Sequence, residues 1–345
     1  MSQNIYIGAD SLADLAEFLK NRTFDKIVVL TDENTHQYCY PVLKTYLPHH
    51  QVIQVKSGEL HKNLQTCEYI WEQLTNWQLS RSSLLINLGG GVIGDMGGFC
   101  AGIFKRGFSF IQVPTTLLSQ VDASVGGKTG IDFHGFKNHL GVFQQPLAVF
   151  IYPDFLKTLP WPELRSGYAE ILKHWLITTK ESFAIQKNIG LRTNDWTALI
   201  TESVKIKEQV VLADPLEKGL RKVLNFGHTV GHALETFYLE RPGKALLHGE
   251  AIAVGMICES YLSQRRNLLT EQEQTEIESF IISVYEKVVL DTTDIPAIAA
   301  LALQDKKNTG SIIKCTLLNG IGKAVFDQAI TVEEIAESLH YYFSL

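Results

Sequence analysis

The sequence predicts two domains, an α/β domain followed by a mainly α-helical domain. Short β-branched runs alternate with helical segments in the first part of the chain, and one of these runs leads directly into a cluster of glycines. Helical periodicity then dominates from Leu164 to about Glu286. A chain of 345 residues also exceeds the size of most proteins with one core. We therefore expect an α/β domain over residues 1–156 and a helical domain over residues 157–345.

The first elements alternate between strand and helix. Ile27 to Thr31 and Gln51 to Val55 are β-branched runs, and the segment between them, Thr35 to Leu47, has helical character. Asn63 to Gln78 repeats apolar residues at helical spacing, and Ser83 to Leu88 follows as another strand. Strands that are separated by helices in this way favour a parallel sheet.

The glycine cluster follows the third of these strands directly. Its residues Gly89-Gly90-Gly91-Val92-Ile93-Gly94 satisfy the Gly-x-Gly-x-x-Gly pattern of a Rossmann-like dinucleotide site, in which backbone N–H groups and a helix N-terminus bind pyrophosphate. No acidic residue stands about 20 residues later, near Pro114, where the pattern requires one, so Asp32 at the end of an earlier strand is the alternative ribose ligand. The competing interpretation is a glycine-rich turn that only packs a helix against a strand.

Two lysines lie in the region after the next strand, Phe110 to Val113. Lys128 follows two glycines in the loop-rich segment Asp122 to Asp132, but the complete phosphate-loop pattern is not met, which argues against an ATP site. Lys137 and Asn138 follow in a segment with little helical or strand pattern, where binding residues are common. The competing interpretation is that both lysines are solvated loop charges.

Composition and charge exclude several classes of protein. The hydrophobic fraction of 45% and the charged fraction of 20% are those of a globular chain rather than a disordered one. A formal net charge of −6 argues against nucleic acid or an anionic membrane as the main partner. Five scattered cysteines without a Cys-x-x-Cys pair indicate reduced thiols, and the sequence has neither a signal-peptide pattern nor a membrane-spanning run. We therefore expect a cytoplasmic protein.

The helical part carries polar residues at regular spacing. Glu170 and Lys173 lie three residues apart in an apolar helix, an arrangement that also fits an ordinary surface ion pair. A second polar group advances by three or four positions and ends at a histidine: Glu217, Arg221, Asn225 and His228. These residues would share one stripe if the helix were continuous.

Three histidines in this part are candidate metal ligands. His228 and His232 lie four residues apart, so a helix would place both rings on one face. His248 begins another apolar helix, with Glu250 two residues later. With Glu170 these make five candidate ligands, and two histidines plus one carboxylate are typical of catalytic zinc. Spacing alone does not choose among the five, and for the histidine pair a tightly packed helix end is the competing interpretation.

Six longer motifs carry a resemblance to known proteins. They are Gly-Gly-Gly-Val-Ile-Gly-Asp-Met-Gly-Gly-Phe from residue 89, Val-Pro-Thr-Thr-Leu-Leu from 113, Asp-Ala-Ser-Val-Gly-Gly-Lys-Thr-Gly from 122, Gly-Tyr-Ala-Glu-Ile-Leu-Lys from 167, Leu-Asn-Phe-Gly-His-Thr-Val-Gly-His-Ala-Leu-Glu from 224, and Leu-His-Gly-Glu-Ala from 247. With them the chain resembles the 3-dehydroquinate synthases of the sugar phosphate cyclase superfamily. The resemblance runs from about Asp32 to Lys307.

The resemblance implies a bound metal, NAD and a sugar phosphate substrate. It assigns zinc, with cobalt as an alternative, to Glu170, His228 and His248, and it places His232 beside the substrate. The residues implied around NAD are Asp32, Glu59, Lys62, Gly89, Gly90, Gly91, Val92, Asp95, Thr115, Thr116, Lys128, Lys137, Thr158 and Leu159. The residues implied around the substrate are Asp122, Lys128, Lys137, Asn138, Lys173, Lys207, Arg221, Asn225 and a lysine of the Asp305-Lys306-Lys307 run. Arg106 is expected to reach the phosphate site of a neighbouring subunit, which implies a homodimer.

The implied activity is the conversion of 3-deoxy-D-arabino-heptulosonate 7-phosphate to 3-dehydroquinate and phosphate in the shikimate pathway. Enzymes of this family oxidise the C5 hydroxyl with NAD, eliminate phosphate, reduce the ketone again and close the ring by an aldol reaction, so NAD is regenerated in each turnover. Two alternatives stay open: a related cyclase that acts on sedoheptulose 7-phosphate, and a metal-dependent polyol dehydrogenase, which would release NADH.

Overall fold

A computed structural model describes residues 4–134, 136–191, 195–239, 241, 245–289, 291–304 and 312–345. Within these limits the chain forms two units: Met1–Leu164 with Asp195–Glu208, and Arg165–Asn194 with Gln209–Leu345. The predicted domain boundary near residue 156 stays a prediction. None of the helices in the described parts of the chain combines the length and the hydrophobicity that crossing a bilayer requires.

The first unit is built on a parallel sheet of six strands. In chain order the strands are β1 (Ile5–Ile7), β2 (Ile27–Asp32), β3 (Gln51–Val55), β4 (Leu84–Gly89), β5 (Ser109–Pro114) and β8 (Val149–Ile151). Their order across the sheet is β1-β8-β5-β4-β2-β3, and every neighbouring pair is parallel. The predicted parallel sheet is confirmed, because the strands are joined through helices as the alternating pattern requires.

Both faces of this sheet are covered by apolar side chains. Alternate residues of a strand point to opposite faces. Val28 and Leu30 of β2 accordingly join one buried cluster, whereas Ile27 and Val29 join the other. A strand that is buried on both faces is a nearly continuous apolar run, which is why β2 is recognisable in the sequence.

Within the described residues, five α-helices lie between successive strands of the sheet. They are α1 (Ser11–Lys20), α2 (Glu33–Tyr38), α3 (Tyr40–Leu43), α4 (Leu64–Asn76) and α5 (Gly91–Ile103). The segment Thr35 to Leu47, predicted to have helical character, is helical in pieces, because α2 ends at Tyr38 and α3 begins again with Pro41 in its first turn. Proline has no N–H group to continue the hydrogen bonds of a preceding helix. Short 3₁₀ helices lie at Lys44–Tyr46, Glu59–His61, Phe104–Arg106 and Pro153–Thr158, and a π-helical turn lies at Ser119–Ala123.

The region predicted to be loop-rich contains a β-hairpin. Strand β6 (Lys128–Phe133) pairs with strand β7 (Phe136–Phe143) in antiparallel fashion. Gly130 and Gly141 face each other in this pair, and a Cβ atom on Gly130 would lie 2.6 Å from the carbonyl oxygen of Leu140. The close approach requires glycine, and glycine removes the alternation of apolar and polar residues by which a strand is recognised.

The second unit is mainly helical, as predicted. The α-helices that follow in the described residues are α6 (Trp161–Thr178), α7 (Lys180–Gln186), α8 (Trp196–Ala213), α9 (His228–Leu239), α10 (His248–Arg265), α11 (Glu271–Tyr285), α12 (Ile295–Leu301) and α13 (Val332–Ser344). Most of α8 belongs to the first unit, as part of its segment Asp195–Glu208. Short 3₁₀ helices lie at Leu220–Asn225, Thr292–Asp294 and Ala302–Gln304. The strands β9 (Ile313–Leu318) and β10 (Ala324–Ile330) form an antiparallel pair.

Helices α9 and α10 approach each other at glycines. A Cβ atom on Gly255 of α10 would lie 1.9 Å from the carbonyl oxygen of Gly227, the residue before α9. The two helices can therefore be this close only because Gly255 has no side chain. Each of the two helices begins with a histidine, His228 in α9 and His248 in α10. The packing of the helices therefore fixes the positions of the backbone that carries these two side chains.

Candidate metal and substrate site

Three of the five candidate ligands converge in the second unit. Glu170 lies in α6 and is fully buried. The Oε1 atom of Glu170 lies 3.2 Å from Nε2 of His248 and 3.5 Å from Nε2 of His228. The ligand atoms of the three residues lie within 4.8 Å of one another, so one cation could contact all of them. Two imidazole nitrogens and a carboxylate oxygen are a donor set that fits zinc, and imidazole also suits neighbouring divalent transition metals.

Both imidazole rings are oriented through their other nitrogen. Nδ1 of His228 lies 3.0 Å from the carbonyl oxygen of Phe226, and Nδ1 of His248 lies 3.3 Å from Oε2 of Glu235. Because these oxygens only accept hydrogen bonds, they assign a hydrogen atom to Nδ1 of each ring. Nε2 of each ring then faces Glu170, and it is the nitrogen through which a ring held in this way binds a metal.

The charges around this group differ between the two histidines. Burial, followed by the neighbouring Lys173 ammonium, holds the pKa of His228 well below its usual range. Burial also lowers the pKa of His248, but the carboxylates of Glu235 and Glu170 outweigh it and raise that pKa to about 10. Lys173 forms a buried ion pair with Glu170. His228 is therefore neutral and able to donate a lone pair, whereas a metal ion would replace a hydrogen atom on Nε2 of His248.

The other two candidates have different surroundings. The ring of His232, one turn further along α9, lies 5.1 Å from the ring of His228 and 6.3 Å from that of His248, measured between centroids. Glu250 forms an ion pair of 2.8 Å with Arg165 and accepts the backbone N–H group of Leu247 at 3.0 Å. Among the described candidate residues, the group that could hold one metal ion is therefore Glu170, His228 and His248 rather than the pair His228 and His232. Glu250 instead accepts a hydrogen bond at the start of α10.

Arg221 and Asn225 lie on the 3₁₀ helix Leu220–Asn225 of the second unit. The guanidinium Nη1 of Arg221 donates to the carbonyl oxygen of Pro215 at 2.8 Å, and Nδ2 of Asn225 donates to Oε1 of Glu217 at 2.9 Å. The condition for one continuous polar stripe is not met, since Gly227, with a φ of +80°, separates this 3₁₀ helix from α9. The polar residues are brought together by a turn instead of by helical spacing.

In the first unit, the glycine cluster forms the turn between β4 and α5. Gly89 ends β4, Gly90 is the N-cap of α5 and Gly91 is its first residue. No side chain caps this helix N-terminus, and a Cβ atom on Gly90 would come within 2.9 Å of Thr116. The exposed N–H groups of a helix start are a suitable site for a phosphate group.

A buried lysine connects several of the predicted NAD residues. The ammonium of Lys62 donates to Oδ2 of Asp95 and to Oδ1 of Asn138, each at 2.7 Å. Glu59 lies 3.9 Å from Lys62 and 3.3 Å from Lys137. Burial lowers the pKa of Lys62, but Asp95 and Glu59 outweigh it and raise the pKa above its usual value. The structure thus brings five residues together that span 79 positions of the sequence: Glu59, Lys62, Asp95, Lys137 and Asn138.

Lys207 and Asp122 form a second polar contact within the first unit. Nζ of Lys207 lies 2.8 Å from Oδ1 of Asp122 and 2.5 Å from the carbonyl oxygen of the same residue. Lys207 is buried. Two residues predicted to meet the substrate, 85 positions apart, are therefore neighbours.

The other predicted residues of the first unit have separate surroundings. Asp32 caps α2, accepting the N–H group of Thr35 at 2.8 Å. Thr115 is buried and its N–H group donates to the carbonyl oxygen of Gly89 at 3.0 Å. The remaining predicted residues are exposed or partly exposed: Val92, Arg106, Thr116, Lys128, Thr158 and Leu159. The Asp305-Lys306-Lys307 run lies outside the described residues.

Sequence reasoning missed two buried carboxylates next to the histidines. Glu235 contacts His248, and Glu259 accepts backbone N–H groups at the start of α9. The available signal was an acidic residue in an otherwise apolar helix, because a buried carboxylate requires a partner. Glu235 also lies seven residues after His228, which places both on one face of α9.

Comparison with known proteins identifies the family. Residues 52–166 match the family described as 3-dehydroquinate synthase N-terminal, and residues 167–308 match 3-dehydroquinate synthase C-terminal. A 3-dehydroquinate synthase from Parabacteroides distasonis is 42% identical to this chain, covering 99% of this chain and 98% of that protein. The chain belongs to the 3-dehydroquinate synthase family. The resemblance drawn from the six motifs is confirmed.

Solved structures share the fold of this 3-dehydroquinate synthase family member. The 2-epi-5-epi-valiolone synthase from Streptomyces hygroscopicus subsp. jinggangensis, with NAD+ and Zn2+ bound, is 27% identical with a TM-score of 0.88 and covers 100% of this chain and 97% of its own. A 2-deoxy-scyllo-inosose synthase complexed with carbaglucose-6-phosphate, NAD+ and Co2+ is 24% identical with a TM-score of 0.84, covering 98% and 96%. The predicted α/β fold followed by a helical part is confirmed.

Proposed function

We propose that this chain is an NAD- and divalent metal-dependent 3-dehydroquinate synthase, a carbon–oxygen lyase. It converts 3-deoxy-D-arabino-heptulosonate 7-phosphate to 3-dehydroquinate and phosphate in the shikimate pathway, which leads to chorismate and the aromatic amino acids. The observation that carries the proposal is the convergence of Glu170, His228 and His248 in a chain that is 42% identical to a protein of that name over 99% of its length.

Glu170, His228 and His248 are the proposed ligands of zinc or cobalt. A bound divalent ion supplies Lewis acidity towards the hydroxyl oxygens of the substrate. Glu170 would contribute a carboxylate oxygen, and the ammonium of Lys173 forms a buried ion pair with the same residue. The ring of His232, 5.1 Å from that of His228, is suited to hydrogen bonding or proton transfer beside the ion.

The start of α5 is the proposed site of NAD. The backbone N–H groups of the segment Gly89 to Val92 would bind the pyrophosphate. The nearby ion pair of Lys62 and Asp95 would hold polar groups of the same site in place. The other proposed contacts are Asp32, Glu59, Thr115, Thr116, Lys128, Lys137, Thr158 and Leu159. NAD held there would supply reversible hydride transfer, so that the overall reaction would involve no net oxidation.

Basic side chains are the proposed ligands of the substrate's phosphate and carboxylate. Arginine and lysine neutralise such groups through charge-assisted hydrogen bonds, which explains why the motifs are locally basic in a chain of net charge −6. The proposed set comprises Lys128, Lys137, Asn138, Lys173, Lys207, Arg221, Asn225 and a lysine of the Asp305-Lys306-Lys307 run, with Asp122 accepting from a hydroxyl. The leaving phosphate itself would take the proton in the elimination.

The test supplies heptulosonate 7-phosphate, zinc and a catalytic amount of NAD. We expect phosphate release over many turnovers without accumulation of NADH, and loss of the reaction after chelation of the metal. Accumulation of NADH at 340 nm would indicate a polyol dehydrogenase instead. Turnover of sedoheptulose 7-phosphate in preference to the heptulosonate would indicate the related cyclase.

We further propose that the protein acts as a cytoplasmic homodimer in which Arg106 serves the phosphate site of the partner subunit. Arg106 is exposed, with a φ of +67°, and is the last residue of the 3₁₀ helix that follows α5. Co-expression of an Arg106→Ala chain with a His248→Ala chain tests this. Mixed dimers regain activity if Arg106 acts in the partner's site, and they stay inactive if it acts in its own.

A further inference from the structure

Glu235 is a buried carboxylate on the face of α9 that carries His228. It lies seven residues after His228, which is close to two helical turns. Its side chain is 6% exposed, and its Oε2 atom lies 3.3 Å from Nδ1 of His248 on the neighbouring helix. One helix therefore supplies a ligand directly and also contacts the ligand supplied by the other helix.

We propose that Glu235 is a positioning residue of the metal site, acting through His248. Its carboxylate accepts the Nδ1–H group of His248 and thereby presents the Nε2 lone pair to the cation. The inference rests on the proposed metal site and concerns a residue outside the ligand set. It does not depend on the identity of the substrate.

The chemistry of imidazole explains why such a partner matters. A neutral imidazole carries its hydrogen on either nitrogen, and only the form with hydrogen on Nδ1 can bind a metal through Nε2. A carboxylate cannot donate a hydrogen bond, so it selects that form, and it also increases the electron density on the ring. In His228 the carbonyl oxygen of Phe226, which carries no net charge, selects the same form of the ring with hydrogen on Nδ1.

The position of Glu235 indicates that the contact serves the site. A buried carboxylate is unfavourable unless it is paired or hydrogen-bonded. Glu235 is 5% exposed and faces a histidine whose second nitrogen lies 3.2 Å from the buried carboxylate of Glu170. Two carboxylates on opposite sides of one imidazole are favourable when positive charge is present between or beside them, and this charge can come from a ring with hydrogen on both nitrogens or from a divalent cation at Nε2.

The decisive variant is Glu235→Gln. The amide has the shape of the carboxylate but lacks its charge, and its NH2 group can donate to Nδ1 and stabilise the wrong form of the ring. Metal-free protein is titrated with Co2+ and with Zn2+ by calorimetry at constant pH, without NAD or substrate. We expect one ion per chain with an affinity about 10- to 100-fold weaker than in the parent protein. A parent-like affinity overturns the proposal.

Glu278→Gln is the matched control. Glu278 is also a buried glutamate of the second unit, but it accepts from Gln274 of its own helix α11 at 2.6 Å and from Tyr341 of α13 at 2.9 Å. We expect this variant to bind metal as the parent does. An equal loss of affinity in both variants would mean that removing any buried carboxylate loosens the site, which contradicts a specific role for Glu235.

Thermal unfolding separates positioning from general structural support. In Glu235→Gln we expect the metal-free melting temperature to fall, because the contact between Glu235 and His248 is lost, and we expect the rise caused by saturating metal to shrink as well, because the stabilisation by a bound ligand increases with its affinity. If the metal-free melting temperature falls and the metal-induced rise is retained, the residue is structural and the proposal fails. If Glu235→Gln does not fold, Glu235→Asp keeps the charge at shorter reach and is expected to bind metal more weakly than the parent. Absence of metal binding by the parent protein would contradict the proposed metal site itself, which is a distinguishable outcome.

Discussion

The buried carboxylate of Glu259 accepts the backbone N–H group of Gly227 at 2.6 Å. The same carboxylate accepts the N–H groups of Thr229 and Val230 at 2.9 and 3.2 Å. The first N–H groups of a helix have no acceptor within the helix, and negative charge is favourable there. Glu259 therefore fixes the start of α9, where His228 is the first residue.

Glu259→Gln should destabilise the protein. The glutamine keeps one acceptor oxygen and places an NH2 group against backbone N–H groups, so at least one buried donor loses its partner at a cost of about 1–3 kcal/mol. Urea unfolding of the metal-free protein measures the loss. Glu68→Gln, at an exposed position of α4, is the control and should change the free energy of unfolding by less than about 0.5 kcal/mol. Equal urea midpoints for the two variants would contradict the prediction.

Gly255→Ala should also be destabilising, although helix propensity alone predicts the opposite. In an exposed helix, alanine in place of glycine stabilises by about 1 kcal/mol. At this position the added Cβ atom would lie 1.9 Å from the carbonyl oxygen of Gly227, so α9 and α10 would have to separate. The sign of the change in the free energy of unfolding, together with weaker metal binding in a calorimetric titration, checks the prediction. A more stable variant would show that the two helices can separate at no cost.

His248→Ala should remove most of the bound metal and the activity together. The substitution deletes one of three proposed ligands and leaves Glu170 without the Nε2 atom that lies 3.2 Å from it. Elemental analysis of the purified variant, alongside the phosphate-release assay, checks this. His340→Ala, at an exposed position of α13, should retain both. One retained metal ion per chain in His248→Ala would contradict the proposed ligand set.

The sheet of the first unit could be predicted because burial leaves a direct trace in the sequence. Strands β2 and β4 are nearly continuous apolar runs since both faces of the sheet are covered. The hairpin of β6 and β7 left no such trace. Its strands approach at Gly130 and Gly141, and Asn138 within β7 has a φ of +51°, so neither the composition nor the alternation of a strand is present.

The metal site could be predicted only in part from spacing. His228 and His232 share a helix, and a pattern on one helix suggests a pair. The convergence of His228 with Glu170 and His248 depends instead on how three helices pack, and periodicity contains no information on that packing. The resemblance to a known family supplied the choice of those three residues. Glu235 was overlooked because its role arises only where α9 meets α10.

Lys173→Ala should leave NAD binding near normal while it weakens substrate binding or slows turnover. Lys173 lies in the second unit and forms its ion pair with Glu170, whereas the proposed NAD site lies at the start of α5 in the first unit. Fluorescence titration with NADH and steady-state kinetics with the heptulosonate separate the two effects. Lys62→Ala is the opposing control: it deprives Asp95 and Asn138 of their shared donor, and it should weaken NADH binding by roughly the 1.5–3 kcal/mol of a hydrogen bond to a charged group. A larger loss of NADH affinity in Lys173→Ala than in Lys62→Ala would mean that the two sites have been assigned to the wrong residues.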